Sequence, residues 1–561
     1  MIETVDIYGI FVRLLGLLFV FQFATTAPQL MALVGQKGVE PVAYLLAAFR
    51  RDHGSLLGFF KLPTLLWLSS SDRAIRALPW LGCLFGLIIA TGVLGEYNAL
   101  AVFACWFIWL SIINANPNVF GIPWDNLLLE CGLWAMMLPG LEPLPGLALL
   151  DSPHPWVHLG FTVLAFRVMF GMGLAKFRAS DERTRDGTYI FHFLEWQPMA
   201  TSTAWYLRAL PSLCHKVLLV GLFVAEVLFP WLAFAGPDGR MIFAISTLGL
   251  QVGIAVCGNY GIFNLAMALL TLPLMATASP WGVPQPGLLS GLAALLLLGT
   301  LPYLFVLDSW TQGLWAYAPT KLRTHARYLG PIAGFFRLFA PFRVWNSYGI
   351  FVPRGNYPKV VPTLQMSMDG QNWLDVVPRF MTNRVSDCPP RFAPYHPRLD
   401  HFIYYNHFRT CDFKVPCLTG INPYYVHEVG FVEKLVEHLY RGNALTQSLF
   451  ADVPHRQPTH IRMAAFAYRM NPLSKVRESG DYWTRELLGV SGTFERIEMD
   501  ASTGIQACYD PFIFDSLDVG IDGVAVYELH NRVVPLQRDA MVPVDPDGMA
   551  CESLNYMNPK L

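Results

Sequence analysis

Charge is scarce in this chain. Only 14% of its 561 residues are Asp, Glu, Lys or Arg, and 41 acidic against 40 basic side chains leave a formal charge of −1. So even a balance gives no electrostatic footprint for nucleic acid. The ten cysteines contain no Cys-x-x-Cys pair and no Cys/His ligand spacing, which argues against a cysteine metal site and leaves too few thiols for a disulfide scaffold. Asn-x-Ser/Thr sequons are absent. Internal repeats and low-complexity tracts are absent as well, which excludes a solenoid.

What is abundant is apolar: 53% of the residues are hydrophobic, which together with the low charge excludes an ordinary soluble domain of this length. The first long apolar run, about residues 7–25, carries Arg13 and lacks a small-residue cleavage site, so it reads as a retained span rather than a signal peptide. Further candidates lie near 78–95, 98–113, 125–139, 155–177, 213–236, 240–258, 259–276 and 286–310. Several fall short of the ~20 residues of a straight span, so the expected count is seven to nine. The segment between the first two spans, with Gly38-Val-Glu-Pro-Val-Ala-Tyr44 and Leu62-Pro-Thr-Leu-Leu-Trp67, reads as short amphipathic helices at the membrane interface.

The run Phe166-Arg-Val-Met-Phe-Gly-Met-Gly-Leu-Ala-Lys-Phe177 places Arg167 and Lys176 inside one such span. Nine residues at about 3.6 per turn put them on nearly opposite faces, so they must find different partners. Ionisable groups in hydrocarbon are costly unless paired or wetted, which makes each a candidate site. For Lys176, near the helix end, snorkelling to the headgroups is the plainer alternative. Glu226 and Arg13, also within apolar runs, are expected to face the bundle interior. For Lys176 the nearest carboxylates by span position are Glu130 and Glu226.

Past about residue 325 the apolar runs shorten and charge returns. Thr363-Leu-Gln-Met-Ser-Met368 alternates and then meets Asp369-Gly370, a hairpin turn signal, with Trp373 beyond. Ile461-Arg-Met-Ala-Ala-Phe-Ala-Tyr-Arg469 reads as another strand. Val429, Phe431, Val432, Leu435, Val436 and Leu439 recur at helical spacing, capped at Gly442. The expected architecture is an α-helical multi-pass bundle over 1–325, a β-rich, β-sandwich-like extramembrane domain with helical insertions over 326–495, and an extension over 496–561 of unknown role.

Seven motifs, in order, resemble the lipase maturation factor family. They are Trp124-Asp-Asn-Leu-Leu-Leu-Glu130, Met169-Phe-Gly-Met-Gly-Leu-Ala-Lys176, Gln197-Pro-Met with Ala204-Trp-Tyr206, Gly258-Asn-Tyr-Gly-Ile-Phe-Asn264, Asn346-Ser-Tyr-Gly-Ile-Phe351, Ser367-Met-Asp-Gly-Gln-Asn-Trp373 and Pro394-Tyr-His-Pro-Arg-Leu-Asp400. The resemblance covers roughly 1–490 and singles out Trp124, Asp125, Asn126, Glu130, Arg167, Lys176, Gln197, Pro198, Trp205, Tyr206, Asn259, Asn264, Trp373, Pro397, Arg398 and Asp400. It implies a multi-pass endoplasmic-reticulum protein that helps lipases fold and assemble, with a lumenal C-terminal domain facing the client and no cofactor. A bacterial relative would instead sit in the inner membrane with that domain in the periplasm. The partners so implied are membrane lipid and unfolded or unassembled secreted proteins.

Gly173-Leu-Ala-Lys-Phe177 is also similar to the Gly-Leu-x-Lys-Leu stretch of vitamin K-dependent gamma-carboxylases, where the aligned lysine is a base on a quinol. Burial suits a lysine to that work. The residues after it, Arg178-Ala-Ser-Asp-Glu-Arg183, depart from the aspartate-tryptophan pattern of those enzymes. The alternative function is therefore a membrane enzyme using Lys176 on a quinol or an exported peptide.

Elsewhere the plainer readings prevail. Asp125 and Glu130 stand too far apart around a helix to be a facing dyad, so Asp125 reads as a cap and Glu130 as the partner of a cation such as Arg167. His396, His401 and His407 lack a repeating ligand spacing, and no metal site is expected. Cys411 and Cys417 would close a small loop in an oxidising compartment. With nine spans, the basic segment 26–77, the loop after Lys176 and the C-terminal domain share a side. The positive-inside tendency makes that side cytoplasmic and the resemblance makes it lumenal; long segments follow the charge rule poorly, so the lumen is expected.

Overall fold

Gln22, Thr26 and Gln29 recur at helical spacing along the first apolar run and share one buried face of a long helix, α1 (Thr4–Val34), on which Arg13 is buried as well. In the computed structural model the described residues are 3–306, 335–348, 359–410, 428–490 and Thr493, apart from Asn118, 179–181, 279–280, 283–285 and Arg337. They fall into two compact units, one holding residues up to 348 with Pro389–Phe402, the other holding 359–388, 403–410 and 429–490. The expected boundaries near 325 and 495, the Cys411/Cys417 loop and the 496–561 extension lie outside the described residues.

In the first unit, α1 is followed by α2 (Val42–Lys61), α3 (Asp72–Thr91), α4 (Asn98–Ala115), α5 (Pro123–Ala135) and α6 (Pro155–Arg178). After the short helices α7 (Glu182–Asp186), α8 (Tyr189–Trp196) and α9 (Ser202–Arg208) come α10 (Ser212–Phe223), α11 (Pro237–Cys257), α12 (Phe263–Met275) and α13 (Leu288–Val306). Six of the described helices are long and apolar enough to cross a membrane, and Phe263–Met275 and Leu288–Tyr303 are shorter apolar helices. The run at 125–139, read as a span, is the 13-residue α5, started by Pro123 and buried on almost every side. α1 and α3 pack closely at Gly16 and Gly86: a Cβ on Gly16 would come 2.6 Å from the Gly86 carbonyl oxygen. Such small-residue contacts are how helices approach where lipid removes any hydrophobic drive between them.

The run 212–234 is not a uniform helix. Pro230 has no N–H to give the Glu226 carbonyl, and the chain responds with a π turn at Val224–Leu228, where Phe229 N–H reaches back to Val224, and then a 3-10 turn at Phe229–Phe234. The wide turn seats Glu226, fully buried, against Gly173 of α6.

Gln197 and Thr201 bond to the end of α11: Gln197 Nε2 and Thr201 N–H donate to the Cys257 carbonyl, and Thr201 Oγ1 donates to the Val256 carbonyl. Arg208 pairs with Glu195 at 2.8 Å and lies 4.2 Å from the Phe191 ring centroid. Tryptic cleavage after Arg208 in intact membranes is therefore expected to be slow beside cleavage after exposed Arg384; comparable rates would show that the segment is not docked.

The second unit carries a four-stranded antiparallel sheet in the order β2 (Leu374–Asp375), β1 (Lys359–Ser367), β5 (His460–Met470), β6 (Trp483–Val490). A two-stranded ribbon joins β3 (Val377–Pro378) to β4 (Phe450–Asp452). The β1–β2 turn is at Asp369-Gly370 as the sequence indicates: Gly370 has φ +72, and Asp369 Oδ1 accepts the N–H groups of Gln371 and Asn372. A helix, Glu428–Tyr440, ends before Gly442 at φ +64, and its Tyr440 hydroxyl accepts Ile461 N–H. The described residues thus build one sheet, a ribbon and helices, rather than two facing sheets of a sandwich.

Candidate functional site

Hydrogen bonds sort the first unit into two ends. At one, Leu149 N–H donates to Val5, Leu144 N–H to Thr91 and Leu141 N–H to Gly95, while Arg13 caps the carbonyls of Ala90, Glu142 and Gly146. Trp124, Asp125, Asn126, Asn259 and Arg398 gather at the other end.

There α5 starts. Pro123 occupies its first turn, Gly121 precedes it at φ +80, and Asp125 Oδ2 accepts Gly121 N–H at 3.0 Å. Both Asp125 oxygens also receive Arg398, at 2.6 and 2.8 Å, and both side chains are almost wholly buried. This is the two-pronged geometry that a guanidinium offers a carboxylate. The guanidinium carbon stands 4.8 Å from the Phe120 ring centroid and 5.7 Å from Trp109. Arg398 begins a helix that runs to Thr410, and its own N–H donates to Gln29 Oε1 at 2.8 Å. Gln29 Nε2 in turn donates to the His396 carbonyl at 2.9 Å.

A second clamp holds the same segment. Asn259, in the α11–α12 turn, donates to the Pro390 carbonyl and accepts the N–H groups of Phe392 and Ala393, all at 2.9–3.0 Å. His396 stacks edge-on between Trp124 (4.9 Å) and His401 (4.7 Å). Arg343 reaches Asn126 Oδ1 at 3.4 Å. Three stretches far apart in sequence, 121–126, 259 and 389–401, are thereby locked to the end of α1.

Deeper in the bundle, Arg167 and Lys176 point to different helices, as their spacing on α6 requires. Arg167 donates to both oxygens of Glu130, at 2.9 and 2.8 Å, and to the Asn346 carbonyl. Asn346 Nδ2 donates to Glu130 Oε1 at 2.8 Å. Lys176 Nζ lies 2.9 and 2.7 Å from the Glu226 oxygens, and the pair is 2% and 0% exposed. Asp125 and Glu130 take different cations and form no dyad.

The remaining motif residues are more dispersed. Gln197 bridges Cys257 to the Tyr260 hydroxyl, which donates to its Oε1 at 2.6 Å. Pro198 is buried. Trp205 is buried against Tyr206, which is exposed. Asn264 is buried on α12, and Pro397 and Asp400 flank Arg398. Trp373 belongs to the second unit, its ring 4.0 Å from the Arg462 guanidinium carbon. Sequence reasoning did not single out Gln29 or Arg343. A polar series at 22, 26 and 29 in an apolar run was the available signal for the first. Arg343, three residues before the Asn346 motif, offered none.

Among the described residues no group of three His, Cys, Asp or Glu side chains is placed to hold a metal. Burial pushes His396 well below its ordinary value and His401 down to about 3, with the nearby Arg398 charge acting in the same direction. Both rings are neutral in the fold. Their unfolded value is near 6.5, so below that pH the unfolded chain binds protons that the fold refuses. The stability they confer is complete above pH 6.5 and is lost as pH falls below it, for His401 down toward about 3, at most on the order of 1 kcal/mol per pH unit for each ring. Thermal unfolding of the purified protein is expected to drop steeply over this window, and a H396Q/H401Q variant to show a shallower slope.

Chemically, the arrangement is a rigid one: each carboxylate of the three pairs is met by a cation at 2.6–2.9 Å. Two family models match the chain, Lipase maturation factor transmembrane domain over residues 8–279 and Lipase maturation factor C-terminal domain over residues 344–492. Among curated proteins it is similar to Lipase maturation factor 2 of Homo sapiens, 25% identical, covering 85% of this chain and 81% of that one. It is also similar to Lipase maturation factor 1 of Bos taurus, 25% identical over 86% of this chain and 87% of that one. No solved structure matches.

Proposed function

Because this chain belongs to the lipase maturation factor family, we propose that it is a membrane-embedded, chaperone-like factor that assists the folding and assembly of secreted client proteins such as lipases. The observation that carries this reading is the convergence of motif residues on one end of the bundle, in paired and hydrogen-bonded arrangements that suit scaffolding. A catalytic lysine needs an amine that reaches substrate, whereas Lys176 is held by both oxygens of Glu226.

Nine crossings fit the two ends of the unit. Besides the six long helices, α12 and α13 cross, and so does α5, which starts beside Arg398 and leads to Leu141 at the opposite end. An odd count sets the N-terminus on one side and the motif-bearing end on the other. We place that end and the second unit where secreted proteins fold, in the endoplasmic-reticulum lumen or, in a bacterium, the periplasm.

Photocrosslinking from the second unit in the native host, followed by mass spectrometry, tests the proposal. Newly exported proteins, lipases among them, should be captured, and their active fraction should fall when the gene is deleted. Unchanged lipase activity on deletion, with no exported protein captured, would refute it.

A further inference from the structure

The segment joining α1 to α3 exposes what a soluble surface hides. Gly54, at φ +72, breaks α2, and the turns beyond it present Leu56, Leu57 and Phe60 on one face, 75%, 52% and 52% exposed. Gly58, on the other face, is buried against the Trp67 ring. Leu68 is 86% exposed. Beside these apolar groups Arg50, Arg51 and Lys61 are also exposed. Residues 37–76 carry six basic side chains (Lys37, Arg50, Arg51, Lys61, Arg73, Arg76) and three acidic ones (Glu40, Asp52, Asp72), a local charge of +3 in a chain of −1.

We propose that α2 is an amphipathic anchor for an anionic phospholipid surface. Leu56, Leu57 and Phe60 enter the acyl boundary, and Arg50, Arg51 and Lys61 take the headgroup phosphates. Two helices long and apolar enough to cross the membrane flank the segment, so it is tethered at the bilayer surface. An exposed apolar cluster rimmed by basic residues is costly in water and matched at the headgroup–acyl boundary. The positive charge selects anionic over zwitterionic lipid, and each basic residue near such a surface is worth about a fivefold factor in binding at low ionic strength.

Hydrogen exchange of the full chain, one copy per nanodisc, in phosphatidylcholine alone and with added phosphatidylglycerol, tests this. Amides of 50–61 should exchange several-fold more slowly with phosphatidylglycerol, and high salt should erase the difference. R50Q/R51Q/K61Q should abolish the lipid dependence, while L56S/F60S should raise exchange in both lipids without altering exchange in α1 and α3. Equal exchange of the wild type in the two lipids would overturn the proposal. So would protection that appears only with two copies per disc, since a second copy would then be the occupant.

Discussion

Replacing Lys176 with methionine is expected to yield a poorly folded protein, not a stable inactive one. Methionine keeps the side-chain length and removes the charge, leaving Glu226 buried without its cation. Breaking a buried pair in this way costs ~3–5 kcal/mol, a large share of any protein's stability. Fluorescence-detected size exclusion and thermal unfolding in detergent measure the loss. The double variant K176M/E226L, which removes both charges, is expected to recover much of it, because no uncompensated carboxylate is left. A catalytic lysine would behave otherwise: K176M would express and melt normally, still bind clients, and lose function completely. That outcome would promote the enzyme reading on Lys176.

Replacing Arg398 with methionine is expected to have an effect of the same order, with a more local signature. Asp125 loses both prongs of its partner while remaining fully buried, again a cost of ~3–5 kcal/mol. Asn259 and Gln29 still hold the backbone of 389–398, so the segment should loosen before it detaches. Hydrogen exchange should therefore rise first across 389–402 and at the start of α5, with α3 and α4 unchanged. R398K keeps the charge but loses the planar fork and the stacking on Phe120, and should fall between methionine and wild type. If R398M melts like the wild type and its 389–402 exchange is unaltered, the pair is not what holds this segment.

Much of this was determined by the sequence itself. Apolar runs with few charges dictate helices in a membrane, since backbone groups in hydrocarbon must bond within their own segment. The nine-residue spacing of Arg167 and Lys176 forces them onto opposite faces of α6, and they do meet different helices. The Asp369-Gly370 turn and the β5 strand follow from local chemistry alone, because a tight turn needs φ > 0 where only glycine adopts it freely.

The Glu130–Arg167 pair was legible in the sequence; tertiary structure decided the other pairings. Arg398 and Asp125 are 273 positions apart, and nothing local to either specifies the other. Lys176 had two carboxylates within reach by span position; the π turn forced by Pro230 turned Glu226 toward it, while Glu130 went to Arg167. Likewise Pro389–Phe402 follows polar sequence like its neighbours, yet belongs with the helices because Asn259 and Gln29 satisfy its backbone. Helices and turns are short-range hydrogen-bond and steric choices, legible over a few residues. Partner choice among buried charges is settled by desolvation, which exists only once distant segments have closed around them.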